Sequence, residues 1–166
     1  MRWRMALVAL LGLLAVSGCA AAADTQAAGY NQADVRFNQQ MITHHRRTIQ
    51  LAELAVDRGG SAYVRDLAKE IIPNEQADIR EMSGWLTSWS EAVPAEEKAE
   101  EGAELRKGAG FDRGWLTMLK GHLEHGVHMA KEVQTAGRHA PTRRLADRII
   151  QVQSGELTAI AERLAL

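Results

Sequence analysis

The segment VRDLAKEII at residues 64–72 returns as TRRLADRII at residues 142–150, with five of its nine positions identical. The two segments are 78 residues apart, and the same shift places His44 on His122 without a gap. A register that holds across helix, turn and helix indicates an internal repeat, in which each copy is a helical hairpin. One hairpin cannot bury both of its apolar faces, whereas two hairpins packed together form a four-helix bundle. The sequence therefore predicts an all-α fold, a four-helix bundle made of two repeated helical hairpins.

Signals for helix starts and stops delimit four segments. Asp34 is expected to cap the first helix, which ends before the glycine pair at residues 59–60. Ser61 is expected to cap the second helix, and the third starts near Asp112. The fourth begins with Pro141, a residue suited to a first helical turn. These limits assign one hairpin to residues 34–89 and the other to residues 111–166.

An acidic segment at residues 90–110 separates the two hairpins. It contains glycine and proline and lacks a sustained apolar period. We interpret it as a solvated linker with at most one exposed helical turn. Pro73 lies inside the second helix, where it is expected to kink the helix or remove one backbone hydrogen bond.

The first residues have the layout of an export signal, in which two arginines precede the uncharged apolar run at residues 6–16. This run is about half the ~20 residues of a membrane-spanning helix, so a permanent span is the weaker interpretation. Residues 16–19, Val-Ser-Gly-Cys, resemble a bacterial lipobox, in which the chain is cut before a cysteine that becomes lipidated. Cys19 is the only cysteine, so an internal disulfide is excluded. We predict a lipoprotein signal peptide at residues 1–18 rather than an ordinary cleavage site with an incidental cysteine.

Cleavage before Cys19 would remove 18 residues and two arginines, and would leave 148 residues with a formal charge of −3. Residues 19–33 are mostly small and polar and are interpreted as a flexible tether, and residues 34–166 form the predicted bundle. The weak negative charge argues against a nucleic-acid partner. The predicted partner is the membrane, through the lipid on Cys19, and the predicted location is extracytoplasmic. The composition is compatible with a homo-oligomer and with a partner protein in the envelope. It does not identify either of them.

Histidines lie on the edges of the predicted buried faces. At about 100° per residue, His44 and His45 fall on opposite flanks of the buried stripe of the first helix. His122 takes the angle of His44 in the second copy, and the next two histidines step from there toward solvent. Methionines lie three or four residues from several of these histidines, which makes them helical neighbours. The candidate metal ligands are His44, His45, His122 and Met41, followed by Met118, His125, His128 and Met129.

Imidazole nitrogens combined with thioether sulfurs suit copper, and Cu(I) favours the sulfur. The neighbouring side chains are not mainly carboxylates, which argues against calcium or magnesium. A metal-free interpretation competes, because methionines at helical spacing commonly fill cores and flank histidines commonly form hydrogen bonds across helices. The recurrence of His44 and His122 at one helical angle favours metal, since equivalent positions can face each other across the symmetry axis of the repeat. We therefore predict a protein that sequesters or buffers copper in the cell envelope, with a metal-free interaction module as the alternative.

The two hairpins resemble the bacterial secreted proteins of domain-of-unknown-function family 305. The signature of that family places adjacent histidines shortly after methionine, and its second helix ends in Met-x-x-Trp-Leu. The resemblance implies a ferritin-like bundle exported from the cytoplasm, and relatives of the CopM type imply copper binding through Met and His ligands. The second copy departs from the pattern, because Leu123 stands where a second histidine is expected. The residues that carry the resemblance are Phe37, 41–45, Ile49, 51–52, Ile79, Met82, 85–86, 111–113, 118–119, His122, Val127 and 129–130.

Motifs of enzymes are missing from the sequence. Ferritin-like di-iron proteins use Glu-x-x-His pairs, and no glutamate of this chain has a histidine three residues later. A nucleophile elbow, an HExxH motif and a phosphate-binding loop are also missing. The protein is therefore predicted not to be an enzyme, although the sequence leaves a copper redox activity open.

Overall fold

The structure is a computed structural model that describes residues 29–96 and 102–166, and these ranges contain four helices. The two hairpins are formed by α1 with α2 and by α3 with α4, and α1 also packs against α3. This arrangement confirms the predicted all-α four-helix bundle. The predicted signal peptide at residues 1–18 and the predicted lipidation at Cys19 lie outside the described residues. The helices are α1 Gln32–Arg58, α2 Ala62–Ser88, α3 Phe111–Ala136 and α4 Ala140–Leu164.

The start of α1 differs from the prediction that Asp34 is its N-cap. Asn31 is the N-cap, and its side chain accepts hydrogen bonds from the backbone amides of Ala33 and Asp34. The Asp34 carboxylate in turn accepts from the amide of Asn31, which completes a capping box. Tyr30 stacks on Trp89 with ring centroids 4.2 Å apart. The last residues of the predicted tether therefore belong to the bundle.

The two hairpins cap each other's helices in equivalent ways. Asp112, at the start of α3, accepts hydrogen bonds of 2.7 and 2.8 Å from the backbone amides of residues 60 and 61, which precede α2. Asp34, its equivalent in the first copy, accepts bonds of 2.9 and 3.1 Å from the amides of residues 138 and 139, which precede α4. Amides at a helix start have no partner inside the helix. The repeat therefore includes the connections that hold the hairpins together.

A layer of buried polar side chains divides the hydrophobic core into two clusters. One cluster contains Met41 and the other contains Trp115, and each lies toward one end of the bundle. Buried polar groups are expected to have partners, because burial without a hydrogen bond is costly. The layer between the clusters, here called the polar waist, holds the buried polar groups that are candidates for function. It consists of His44, His45, Thr48, Glu75 and Gln153, each less than a tenth exposed.

The described parts of the connection between the hairpins, residues 90–96 and 102–110, are mostly exposed and contact α1 at several points. The Arg46 guanidinium donates to the backbone carbonyls of residues 94 and 95 at 2.7 and 2.8 Å. Arg58 donates to the carbonyl of Leu105 at 2.9 Å. Pro73 lies within α2, which remains one helix. No helix in the described part of the chain is long and apolar enough to cross a membrane.

Candidate metal centre

His44 of α1 and His122 of α3 meet at the polar waist. Their rings are stacked, with centroids 4.0 Å apart and an angle of 21° between the ring planes. Nε2 of His44 donates to the backbone carbonyl of His122 at 3.0 Å, and Nε2 of His122 donates to the carbonyl of His44 at 3.2 Å. Because the two residues are equivalent in the repeat, this reciprocal contact lies on its approximate twofold axis. The structure thus places these two predicted residues face to face.

The hydrogen bond to His122 determines which nitrogen of His44 holds the hydrogen. A carbonyl only accepts, so Nε2 carries the hydrogen and Nδ1 is left with an unshared electron pair. Nδ1 is buried and has no hydrogen-bond partner in the described part of the chain. Burial, and then repulsion from the rings of His122 and His45, lower the pKa of His44 from 6.5 to about 2. His44 is therefore neutral near pH 7, which is the form of imidazole that binds metals.

A cavity of about 800 Å³ lies beside the stacked pair. Its lining includes His125, His128 and Met129 of α3 together with His44. The ring centroid of His125 is 5.7 Å from that of His44, and the Met129 side chain is largely buried. His128 is at the open edge, with its side chain 69% exposed. Imidazoles and a thioether therefore face one space, as Cu(I) would require.

The other predicted ligands lie away from this cavity. Met41 is fully buried in one core cluster, and Met118 packs against the other. His45 lies 5.9 Å from His44 between ring centroids, but it faces α2 instead of α3. Adjacent helical residues are about 100° apart, so neighbours in sequence meet different helices. The prediction treated His44 and His45 as ligands of one site, whereas in the structure they line different cavities.

Sequence reasoning missed the carboxylates that surround His45. Oε1 of Glu75 lies 3.6 Å from its Nδ1, and Oδ2 of Asp78 lies 3.6 Å from its Nε2. Burial by itself lowers the pKa of His45, but the charges of Glu75 and Asp78 outweigh burial, and the pKa is raised. A signal was present, because Glu75 follows the buried Ile71 by four residues and so continues the apolar stripe of α2. An acid in a buried stripe is a candidate for function.

Side chains would have to move for these residues to bind a metal ion together. Within residues 29–96 and 102–166, no group of three or more His, Cys, Asp or Glu side chains stands ready to hold a metal ion. The His44 cavity offers a buried nitrogen without a partner, and His125 and Met129 are close to it. This donor set fits Cu(I), which accepts few ligands and favours sulfur and imidazole.

The protein is a small bundle of two helical hairpins. Histidines lie on its internal axis with a methionine beside them, and these are side chains that can donate to soft metals. A family model described as a domain of unknown function (DUF305) matches residues 34–107 and again residues 92–164. The chain belongs to the DUF305 family, as its sequence motifs indicated. The two matches agree with the predicted repeat. No curated protein matches the chain.

Solved structures of the same fold include metal-bound proteins. CopM in its Cu(I)-bound form is 28% identical, with a TM-score of 0.70 over 78% of this chain and 93% of CopM. CopM in its Cu(II)-bound form is 27% identical, with a TM-score of 0.72 over 80% of this chain and 95% of CopM. A secreted DUF305 protein from Streptomyces coelicolor is 25% identical, with a TM-score of 0.72 over 80% of this chain and 92% of that protein. The chain is thus similar to these proteins over nearly their whole length.

Proposed function

We propose that the protein binds copper outside the cytoplasm and sequesters or buffers the ion there. The observation that carries the proposal is Nδ1 of His44, a buried nitrogen with an unshared electron pair and no partner among the described residues. A neutral imidazole held in a fixed tautomer needs neither deprotonation nor reorientation of its ring to bind a metal. The similarity to CopM, which is known in Cu(I)-bound, Cu(II)-bound and Ag-bound forms, supports copper as the ion.

In this proposal the ion is bound on the cavity side of the stacked pair. His44 supplies Nδ1, Met129 supplies a thioether, and His125 supplies a third donor from the next turn of α3. His122 orients His44 through the reciprocal backbone bonds. His128, at the open edge, is suited to the entry of the ion rather than to its final coordination.

The remaining features of the proposal concern location and chemistry. A secreted relative supports an extracytoplasmic location, and the lipobox at residues 16–19 is the basis for a lipid anchor at Cys19. The proposed protein is a binding protein and not an enzyme, because the motifs of di-iron and hydrolytic sites are missing from the sequence.

A competitive titration with Cu(I) and with Cu(II) tests this proposal. We expect wild-type protein to bind Cu(I) stoichiometrically, and H44Q and H125N to lose or weaken that binding. His139 is a matched control because it lies outside the cavity, so H139S should bind like wild type. H125N keeps the test valid if H44Q does not fold, because His125 is exposed and its replacement should leave the fold intact. Equal Cu(I) affinity of wild type, H44Q and H125N would refute the ligand assignment.

A metal-free role in interactions within the envelope is the second candidate. It is favoured by the reciprocal bonds between His44 and His122, which employ both Nε2 hydrogens without any ion. In this case H44Q should lower the free energy of unfolding, and wild type should bind copper no better than an unfolded peptide that contains histidine. Thermal unfolding with and without Cu(I) separates the two functions, because only a ligand of the folded state raises Tm.

A further inference from the structure

A second cavity, of about 350 Å³, lies on the other side of α1. It is lined by His45 of α1, by Glu75 and Asp78 of α2, and by Glu156 of α4. The lining of the cavity beside His44 includes none of these residues. The copper proposal therefore leaves this cluster of an imidazole and three carboxylates unexplained.

Both ring nitrogens of His45 and one carboxylate oxygen of Glu75 lack a hydrogen-bond partner among the described residues. His45 is 1% exposed, and neither of its ring nitrogens has a hydrogen-bond partner in the described part of the chain. Its nearest carboxylate oxygens, on Glu75 and Asp78, are both at 3.6 Å, which is longer than a hydrogen bond. Oε2 of Glu75 is also buried without a partner. Such groups are costly to bury unless a further partner joins them.

The charges around the second cavity are unbalanced. Arg148 brings a guanidinium to the lining, but it lies 2.6 Å from Glu81 and 3.7 Å from Asp78. The guanidinium therefore contacts Asp78 and Glu81, and His45 is the group beside Glu75 that can carry a positive charge. The lining of this cavity thus contains four carboxylates, one arginine and one histidine, and a cation would reduce the repulsion between the carboxylates.

The symmetry of the repeat brings two of these acids to opposite sides of the axis. Asp78 and Glu156 are equivalent residues, and both line the second cavity. Their equivalence means that α2 and α4 present like charges to one space, where Arg148 and His45 lie near Asp78 and offset the repulsion in part.

We propose that His45, Asp78 and Glu156 form a second metal site, which takes a divalent cation of the zinc type. Nε2 of His45 binds the ion, and Glu75 moves in from 3.6 Å to accept from Nδ1–H and orient the ring, as carboxylates do for metal-binding histidines. The 3.6 Å between Nε2 and Asp78 is close to the ~3.3 Å between neighbouring ligands in a tetrahedron with bonds of about 2.0 Å. Glu156 has to close in, since the side chains do not stand ready around a metal. The donor set has nitrogen and oxygen without sulfur, which distinguishes this site from the proposed copper site.

The second copy of the repeat offers matched variants for a test. Leu123 is the equivalent of His45, and Gln153 is the equivalent of Glu75. H45L and E75Q therefore introduce side chains that the same fold already buries at equivalent positions. D57N is the control for D78N, since it changes charge equally on a side chain that is 78% exposed.

The experiment titrates the purified full chain with Zn²⁺ alone and measures heat and bound metal. Wild type should bind one Zn²⁺ at this site, H45L and D78N should lose it, and E75Q should weaken it about 10- to 100-fold. D57N and H44Q should retain it, which separates this proposal from the copper proposal. Unfolding curves establish that each variant is folded, and D78N replaces H45L if the latter is not.

Two results would overturn the proposal. One is wild-type protein that binds no Zn²⁺, and the other is folded H45L and D78N that bind Zn²⁺ with wild-type affinity. A Cu(I) titration of the same variants completes the test, since H45L should leave Cu(I) binding intact. Loss of both ions in H45L alone would mean a single shared site, and would also overturn the proposal.

Discussion

The crossing caps allow equivalent carboxylates to be compared within one molecule. Asp34 is fully buried, and its Oδ2 accepts from the backbone amides of Asn31 and of residues 138 and 139, at 2.8, 2.9 and 3.1 Å. Asp112 is half-buried and accepts from two amides. Replacement by alanine leaves these amides without an acceptor. The loss is larger at Asp34, because water cannot readily replace the carboxylate in a buried position.

The expected magnitudes follow from the number of bonds and their burial. A buried bond to a charged acceptor contributes about 1.5 kcal/mol or more, so D34A should lower the free energy of unfolding by about 3–5 kcal/mol. D112A should lower it by about 1–2 kcal/mol, as expected for loss of a solvated cap. Urea denaturation measures both, with D57A as an exposed control. A loss in D112A equal to or larger than that in D34A would refute the assignment of Asp34 as the main link between the hairpins.

Three further predictions concern the metal centre and pH. A Cβ on Gly126 would lie 2.9 Å from Cε1 of His44, so G126A should weaken Cu(I) binding and destabilise the fold by about 1–3 kcal/mol. G155A, a control with no atom near the new Cβ, should stabilise by about 0.5–1 kcal/mol, and equal effects of both would contradict the reasoning. M129L should weaken Cu(I) binding more than Cu(II) binding in parallel titrations, because the thioether favours Cu(I). Burial lowers the pKa of His139, so its stabilisation as a neutral N-cap is complete above about pH 6.5 and decreases below it. The free energy of unfolding, measured by denaturation at neutral pH and near pH 5, should fall less between these two pH values in H139S than in wild type. An equal fall in both proteins would exclude this role of His139.

The sequence was sufficient to predict the bundle, because both the helices and the repeat can be recognised from patterns of neighbouring residues. A shift of 78 residues aligns one hairpin with the other, and the apolar periodicity indicates which face of each helix is buried. The role of Asp34 was not predictable in the same way. Its sequence context favours an N-cap, but its hydrogen bonds reach amides 104 and 105 residues away. Local propensity says nothing about such partners.

The candidate site was predicted in part, for a comparable reason. Equivalent residues can meet on the axis of a repeat, so the contact of His44 with His122 was accessible to sequence reasoning. The separation of His45 from His44 was not, because angles on a helical wheel do not state which neighbouring helix occupies each side. Glu75 was overlooked although its position in the stripe of α2 signalled burial of an acid.

The internal axis explains why the two sides of the waist differ in chemistry. A residue on the axis meets its own equivalent, so His44 and His122 must form a pair that is compatible with itself, and two stacked imidazoles with reciprocal backbone bonds satisfy this condition. A residue next to the axis meets a different side chain, so the copies can diverge there, as His45 and Leu123 have done. Asp78 and Glu156 are both acids and face one cavity, where Arg148 and His45 offset their charge in part. The first cavity offers imidazoles and a thioether and the second offers an imidazole and carboxylates, so the two proposed sites are suited to cations of different type.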